Sequence, residues 1–367
     1  MSSTISEIVD VDITIENPVT SALSYSTMLL IVPAPVNVGT ATMSTLTKIE
    51  YLSELADYGY STTNTAAADY CVYQAVSTAL AQSPGPEEIY LTVRQTVTEN
   101  ETTSAEPIST TLDRALRFNS WAGFCIVGTV TNADITAAAA WAEENMKLFG
   151  FTWTGTTIPV AITNYDHTFA VYAGDLDTTE TNPATPYTAV AMMAKCFGYE
   201  PGSETWALKN LKNITPSALS SAKINTIKEA NSNYYHTVAD RAVTQTGVVG
   251  SGEWIDNIRF RDWLISEIEY RLAAFMTANT KVPYNDAGIA GIQNVIESVL
   301  IEGQRIGGID ADIYDGDEVD RAYTITVPKA ANIAKATRRS RQLSNIEFSA
   351  RLAGAIHKVM IRGKLVY

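Results

Sequence analysis

Apolar and polar residues alternate at both ends of the chain. Near the start, Val9, Val11, Ile13 and Ile15 alternate with Asp10, Asp12, Thr14 and Glu16. At the end, Val359, Ile361 and Leu365 alternate with Lys358, Arg362 and Lys364, and Gly363 interrupts the apolar row. A period of two gives a strand one apolar face. Terminal residues are ordinarily frayed and polar, so a patterned strand at each end needs a partner to cover it. The first strand is acidic and the last basic, so the two can face each other through cross-strand ion pairs worth about 0.2–1 kcal/mol each. A partner in another copy of the molecule turns such a chain into a linked polymer.

Between the ends, strands and helices alternate. An apolar strand over 28–32 is closed by Pro33 and Pro35, after the Asn17-Pro18 turn that ends the first arm. Helical patterns cover 51–58 and 66–82, the second stopped by Ser83-Pro84-Gly85-Pro86. A strand follows over 88–94, then a polar loop over 96–107 and a strand over 121–127 buried on both faces. A helix starts from the N-cap candidate Asn132 and runs to Phe149, with Gly150 as its C-cap. Strands over 158–163 and 169–172, a polar loop over 175–186 and an Ala/Met-rich helix over 187–197 complete this half. The alternation predicts a mixed α/β domain.

The second half holds the clearest helices. Residues 253–279 space Ile255, Ile258, Trp263, Ile268, Leu272 and Phe275 on one face. Residues 286–302 do the same with Ile289, Ile292, Val295, Ile296, Val299 and Leu300, and Gly303 follows as the stop. Strands are expected over 323–327 and 346–352. Between them Pro328 precedes a helix over 329–342, in which Lys335, Arg338, Arg339 and Gln342 fall within one arc of about 100°. That face contains no acid, which favours an acidic partner surface over an ordinary solvated face.

Charge sharpens this picture. The 367 residues carry a net charge of −14, which argues against nonspecific nucleic-acid binding. From Lys329 onward there are nine Lys/Arg and a single acid, Glu347. The other 328 residues hold 17 of the 26 basic and 39 of the 40 acidic side chains. Such asymmetry marks an interaction surface, and an acidic body with a basic end attracts copies of itself. No stretch reaches the roughly 18 apolar residues of a membrane span. Met1 to Glu7 lacks the basic start and apolar run of a signal peptide, so the expected site of synthesis and residence is a cytoplasm. Cys71, Cys125 and Cys196 are odd in number and lie among apolar residues, which reads as buried thiols.

Candidate chemistry is sparse. His167, His236 and His357 are the only histidines, and none has a second ligand at metal-binding spacing. Gly247-x-x-Gly250-x-Gly252 enters a helix, but Glu253 and Asp256 in its first turn repel phosphate and no Lys-Ser/Thr follows. Asp310, Asp312, Asp315, Asp317, Glu318 and Asp320 cluster, yet the Ca²⁺-loop register fails. Counted from Asp310, the Gly position is Asp315 and the final Glu position is Arg321. A solvated acidic loop or a subunit contact is the better reading, with weak cation binding as the alternative. No nucleophile motif stands in a suitable context, so neither an enzyme nor a cofactor is expected.

Several segments together resemble the contractile tail sheath family of bacteriophages. Tyr51-Leu52-Ser53-Glu54-Leu55, then Gln82-Ser83-Pro84-Gly85-Pro86 and a short strand, are similar to the family's helix ending in Gln-Ser-Pro. Pro201-Gly202-Ser203-Glu204-Thr205 resembles its Pro-Gly-Ser-x-Thr segment, and Asn231-Ser232-Asn233-Tyr234-Tyr235 its Asn-x-Asn-Tyr-Tyr. Gly252-Glu253-Trp254-Ile255-Asp256 with Arg261-Asp262-Trp263-Leu264 looks like the start of its long helix. The run from Asn345 to His357 is similar to its last core strand and C-terminal arm. Asn213 departs from a frequent Gly, which touches only a local turn.

The resemblance implies an α+β (mixed α/β) fold. A sheath-type core of β-sheet and helices would carry extended N- and C-terminal β-arms and a second, outer α/β domain. The implied division is 1–17 arm, 18–200 outer domain, 201–356 inner core and 357–367 arm; the chain is short for the family, with few added outer domains. It also implies a virion structural protein assembled in a host cytoplasm, with subunits stacked as six-fold rings around a tail tube. Arms would join a sheet in neighbouring subunits. Lys329, Lys335, Arg338, Arg339 and Gln342 would face the tube. Baseplate and tail terminator proteins are the further implied partners; direct nucleic-acid binding and membrane insertion are not. A tail tube or surface-layer subunit, or the sheath of a bacteriocin or injection particle, is the alternative.

Overall fold

The computed structural model describes residues 24–99, 102–118, 121–174, 187–315, 318–362 and 364. All six residues of β1 (Thr27–Val32) are buried. A strand apolar on both faces belongs in the middle of a covered parallel sheet. There β1 lies, flanked in parallel by β3 (Glu88–Val93) and β6 (Gly123–Ile126), with Leu30 opposite Leu91 and Cys125. Beyond β6 run β7 (Leu148–Trp153), β8 (Thr168–Tyr172) and β9 (Asn233–Val238), all parallel, then antiparallel β10 (Arg241–Gln245). Antiparallel β2 (Thr47–Ile49) closes the other edge, so the eight strands run β10-β9-β8-β7-β6-β1-β3-β2.

The two faces of this sheet have separate cores. Met28, Leu30 and Val32 pack with α2 (Tyr70–Leu80) and α5 (Thr188–Phe197). Leu29 and Ile31 pack with α3 (Ile108–Leu116) and α4 (Asn132–Asn145), joined by Ile227 of α6 (Ser221–Glu229). The sheet continues past the expected boundary at residue 200 as far as Gln245.

Several local expectations are corrected. Thr131, not Asn132, caps α4 in a reciprocal box with Asp134. The helix ends at Asn145 with Met146 left-handed at φ 49°, because Leu148, Phe149 and Phe151 gain more by entering the buried sheet as β7. Gly150 is a strand residue there: a Cβ would sit 2.4 Å from the Phe169 ring. The stretch read as a loop over 96–107 contains a hairpin of β4 (Thr96–Glu99) and β5 (Thr102–Ala105). Residues 158–163 form no strand, although Ile162 is buried. The helix expected over 51–58 is one turn, α1 (Glu54–Asp57). The loop read over 175–186 lies outside the described residues.

After the sheet, α7 (Ile255–Ala278) and α8 (Asp286–Ile306) pack together over Phe260, Trp263, Ile296, Val299 and Leu300. Gly303 does not stop α8. It lies inside the helix, where a Cβ would stand 3.1 Å from Phe260 and Ile309, and Gly307 at φ 91° ends it. The chain then forms two antiparallel pairs, β11 (Ile313–Asp315) with β12 (Glu318–Asp320), and β13 (Tyr323–Thr326) with β14 (Glu347–Ala350). No helix among the described residues is long and apolar enough to cross a membrane.

Candidate assembly surface

The β13–β14 pair lies on the α7–α8 layer. Its register places Tyr323 opposite Ala350 and Ile325 opposite Phe348 on one face, and Thr324 opposite Ser349 on the other. Tyr323, Ile325 and Ala350 pack on the helical core, whereas the Thr324 and Ser349 hydroxyls meet at 2.9 Å in solvent. Two strands do not cover the helices. Beside β14 a groove of about 640 Å³ remains, lined by Leu264, Ile265 and Ile268 of α7 and by Phe348, Ala350 and Leu352. The edge of β14 away from β13 carries no strand over Glu347–Ala350 among the described residues. Only past its end does the backbone of 308–310 close on 351–353. A two-stranded sheet with an open apolar flank is an incomplete element.

The segment expected to form a C-terminal arm leaves from a contact at His357. His357 Nε2 lies 2.7 Å from Thr205 Oγ1, and its ring stands edge-on to Trp254 at 4.6 Å. Burial, with the charge of Lys209, pushes the His357 pKa down. Beyond it Lys358, Val359, Ile361, Arg362 and Lys364 are exposed and form no strand, while Leu365 lies outside the described residues. Val359 is 71% and Ile361 87% exposed, an apolar row with no cover among the described residues. Val9, Asp10, Val11, Asp12, Ile13 and Ile15, expected to form an N-terminal arm, lie outside the described residues.

The basic segment differs from expectation. In place of one helix over 329–342 there is a 3-10 turn, Ala330–Asn332, then extended Ile333 and Ala334, then α9 (Lys335–Ser340). Asp286 Oδ1 accepts from the Ala330 N–H at 2.7 Å, and Arg341 at φ 57° ends α9. Only Ala330 is buried between 329 and 342, so no apolar stripe holds a longer helix down. Lys329, Lys335, Arg339 and Gln342 are exposed. Arg338 is half-buried over the Tyr284 ring at 5.9 Å, and Tyr284 Oη donates to the Gln342 carbonyl at 2.8 Å. Among the described residues, none of Lys329, Lys335, Arg338 and Arg339 has an ion-pair partner.

Behind these surfaces, buried charges join α7 to the sheet body. Arg259 Nη1 donates to Glu204 and, at 3.2 Å, to the Cys196 carbonyl. Arg259 Nη2 donates to the carbonyls of Tyr25 at 2.7 Å and Tyr199 at 3.0 Å, and the guanidinium stands 4.9 Å over Phe197. Asp262 Oδ2 lies 3.0 Å from His167 Nε2, whose other ring nitrogen is 3.3 Å from Glu143. Burial opposes charge on His167, but the Asp262 hydrogen bond and charge outweigh it and raise its pKa. Sequence reasoning missed this joint, because charged residues on a helix read as a solvated face; their place among Ile255, Ile258 and Trp263 was the available signal.

The remaining candidates resolve into structure. Gly250 packs on Ile162, whose carbonyl would be 2.0 Å from a Cβ, and Gly247 N donates to Asn233 Oδ1 at 2.7 Å. The Gly247–Gly252 run is thus a packed turn. In the acidic cluster Asp310 and Asp320 hold Arg351, and Asp312 pairs with Arg321 at 3.6 Å. No group of three potential metal ligands occurs among the described residues. His236 sits on β9 beside Tyr234.

Residues 255–365 match the family model "E217 tail sheath protein gp31-like, C-terminal domain". No curated protein matches the chain by sequence. Among solved structures, a chain of the anti-feeding prophage baseplate is similar at 12% identity and a TM-score of 0.70, covering 100% of both chains. A chain of the contracted anti-feeding prophage helical sheath gives 12% and 0.68 over 97% of both. The contracted PVC sheath complex of an extracellular contractile injection system gives 12% and 0.66 over 99% of this chain and 98% of that one. These likenesses establish the fold.

Proposed function

We propose that this chain, which has the fold of contractile sheath proteins and whose residues 255–365 match a tail sheath C-terminal domain model, is a structural subunit of a contractile sheath. Its subunits stack as six-fold rings around a tail tube and contract to drive the tube through a host envelope. The observation that carries this reading is the pairing of unfinished elements. An exposed, alternating C-terminal arm leaves a fixed anchor at His357, and an open strand edge with an apolar groove lies beside β14. Arms from neighbouring copies complete the small sheet by strand addition. Each Val or Ile that an arm fully buries contributes about 1.5–3 kcal/mol, enough to hold a mesh together while leaving each link extensible.

The arms then act as tethers while rigid subunit bodies rotate and slide. The part built from α7 to β14 is the inner body, and the eight-stranded sheet faces outward. Lys329, Lys335, Arg338, Arg339 and Gln342 make weak, screenable contacts with an acidic tube, which release when contraction begins. Contraction needs no nucleotide on this account, since larger contact between subunits in the contracted state supplies the energy. Baseplate and terminator proteins cap the ends of the assembly, which forms in the host cytoplasm and leaves as part of the particle. A phage-like injection particle is the second reading, supported by the likeness to anti-feeding prophage and PVC chains.

The test is deletion of residues 1–17 or 357–367, followed by sedimentation and circular dichroism. Each truncation should give a folded monomer that does not polymerise. Polymers of wild-type length from both would remove the arms from the account.

A further inference from the structure

The sheet body carries a second unfinished surface, with Lys209 near the His357 anchor. Lys195 and Lys209 hold their ammonium groups 5.8 and 5.2 Å from the centre of the Tyr199 ring. Lys212 lies close enough for its charge, with that of Lys209, to act on Lys195. Among the described residues none of these three lysines has a carboxylate partner, on a chain whose net charge is −14. Like charges gathered on one patch repel each other and favour a partner of opposite sign.

The same chain presents the complement. The β11–β12 hairpin is exposed at every described position, with Tyr314 at 71% and Ile313 at 51%. Its register sets Tyr314 opposite Val319 on one face and Asp315 opposite Glu318 on the other. Asp320 is occupied by Arg351, but Asp315 and Glu318 have no ion-pair partner among the described residues. An isolated pair of three-residue strands with an exposed aromatic needs cover. The lysines gathered around Tyr199 offer a basic surface to the Asp315–Glu318 face of this hairpin.

We propose that the Lys195–Lys209–Lys212 patch of one copy receives the β11–β12 hairpin of a second copy, Asp315 and Glu318 meeting the lysines. The proposal rests on the self-assembly reading above. The two surfaces differ, so the contact is heterologous: each copy donates a hairpin and accepts one, and the contact propagates into a ring or a helix. It uses neither arm as a strand, although Lys209 lies near the His357 anchor, and as an ion-pair contact it weakens with salt.

The full chain tests it. Reversing one side, Lys209→Glu with Lys212→Glu or Asp315→Lys with Glu318→Lys, should raise the critical concentration for polymerisation at least about 10-fold, since opposed like charges are costly. Combining both reversals should bring it back to near the wild-type value. A second readout does not need polymers. Two differently tagged full chains in a Cys71→Ser background, one Lys212→Cys and one Glu318→Cys, should form a mixed disulfide-linked dimer at low salt. Wild-type critical concentrations in both single-side variants, or no mixed cross-link, would overturn the proposal. A wild-type chain that never polymerises sinks the self-assembly reading instead, and the mixed cross-link then decides this contact alone.

Discussion

Arg259 is the side chain on which the joint between sheet and helices most depends, and its replacement makes a quantitative test. Arg259 is 4% exposed, and its guanidinium neutralises Glu204 while also holding the carbonyls of Tyr25, Cys196 and Tyr199. Arg259→Met fills much the same volume but leaves a buried carboxylate without its cation, a loss of about 3–5 kcal/mol. Against a total stability of about 5–15 kcal/mol for a typical domain, that is a large fraction. Arg259→Met with Glu204→Leu removes both charges together, so the double variant should recover at least about 2 kcal/mol relative to Arg259→Met. Urea unfolding below the polymerisation concentration measures both, through the midpoint at constant slope. Because the pair is buried, the loss should persist in high salt, unlike that of a surface pair. Strict additivity of the two substitutions, or an Arg259→Met loss under about 1 kcal/mol, would refute the reasoning.

Two further outcomes follow from charges on the page. His167 has its folded pKa raised, so it stabilises the fold below the unfolded imidazole value of about 6.5, and this is lost as pH rises through the folded value. The melting temperature of wild type minus that of His167→Gln should therefore shrink between about pH 6 and about pH 8, and a constant difference would remove the Asp262 interaction as its cause. Lys147, pushed down to about 8 by burial, has the opposite sign and is common to both proteins. Asp256, pushed up to about 6 by burial, is half-titrated at the lower edge of this window and is likewise common to both proteins. At the basic segment, Lys335→Glu, Arg338→Glu and Arg339→Glu together should abolish co-sedimentation with the tube while self-assembly survives; undiminished tube binding would take those residues out of the tube contact.

Elements whose apolar pattern decides their burial were legible in the sequence. These include β1, buried on both faces, and the two long helices α7 and α8. Elements held by polar contacts were not. The β4–β5 hairpin is Thr-rich with no apolar face to read, and β9 is locked by Asn233, whose side chain bonds Ala170, Gly247 and Val248. Periodicity assigns a face but not a neighbour, so nothing in the spacing placed β9 and β10 in the sheet of β1. At the candidate surface, the alternation at 358–365 and the charge asymmetry from 329 onward were visible as sequence patterns. The length of the basic helix did not follow, because it depends on how little of that segment the core can anchor. The open groove beside β14 exists only once α7 has folded against it, so sequence alone could not reveal it.

The central claim is that this chain polymerises with itself into a sheath. Negative-stain electron microscopy of the purified full-length protein at moderate concentration tests it most directly. Hollow tubes or stacked rings with six-fold symmetry are the predicted result. Monodisperse particles that persist through concentration and changes of salt would contradict it.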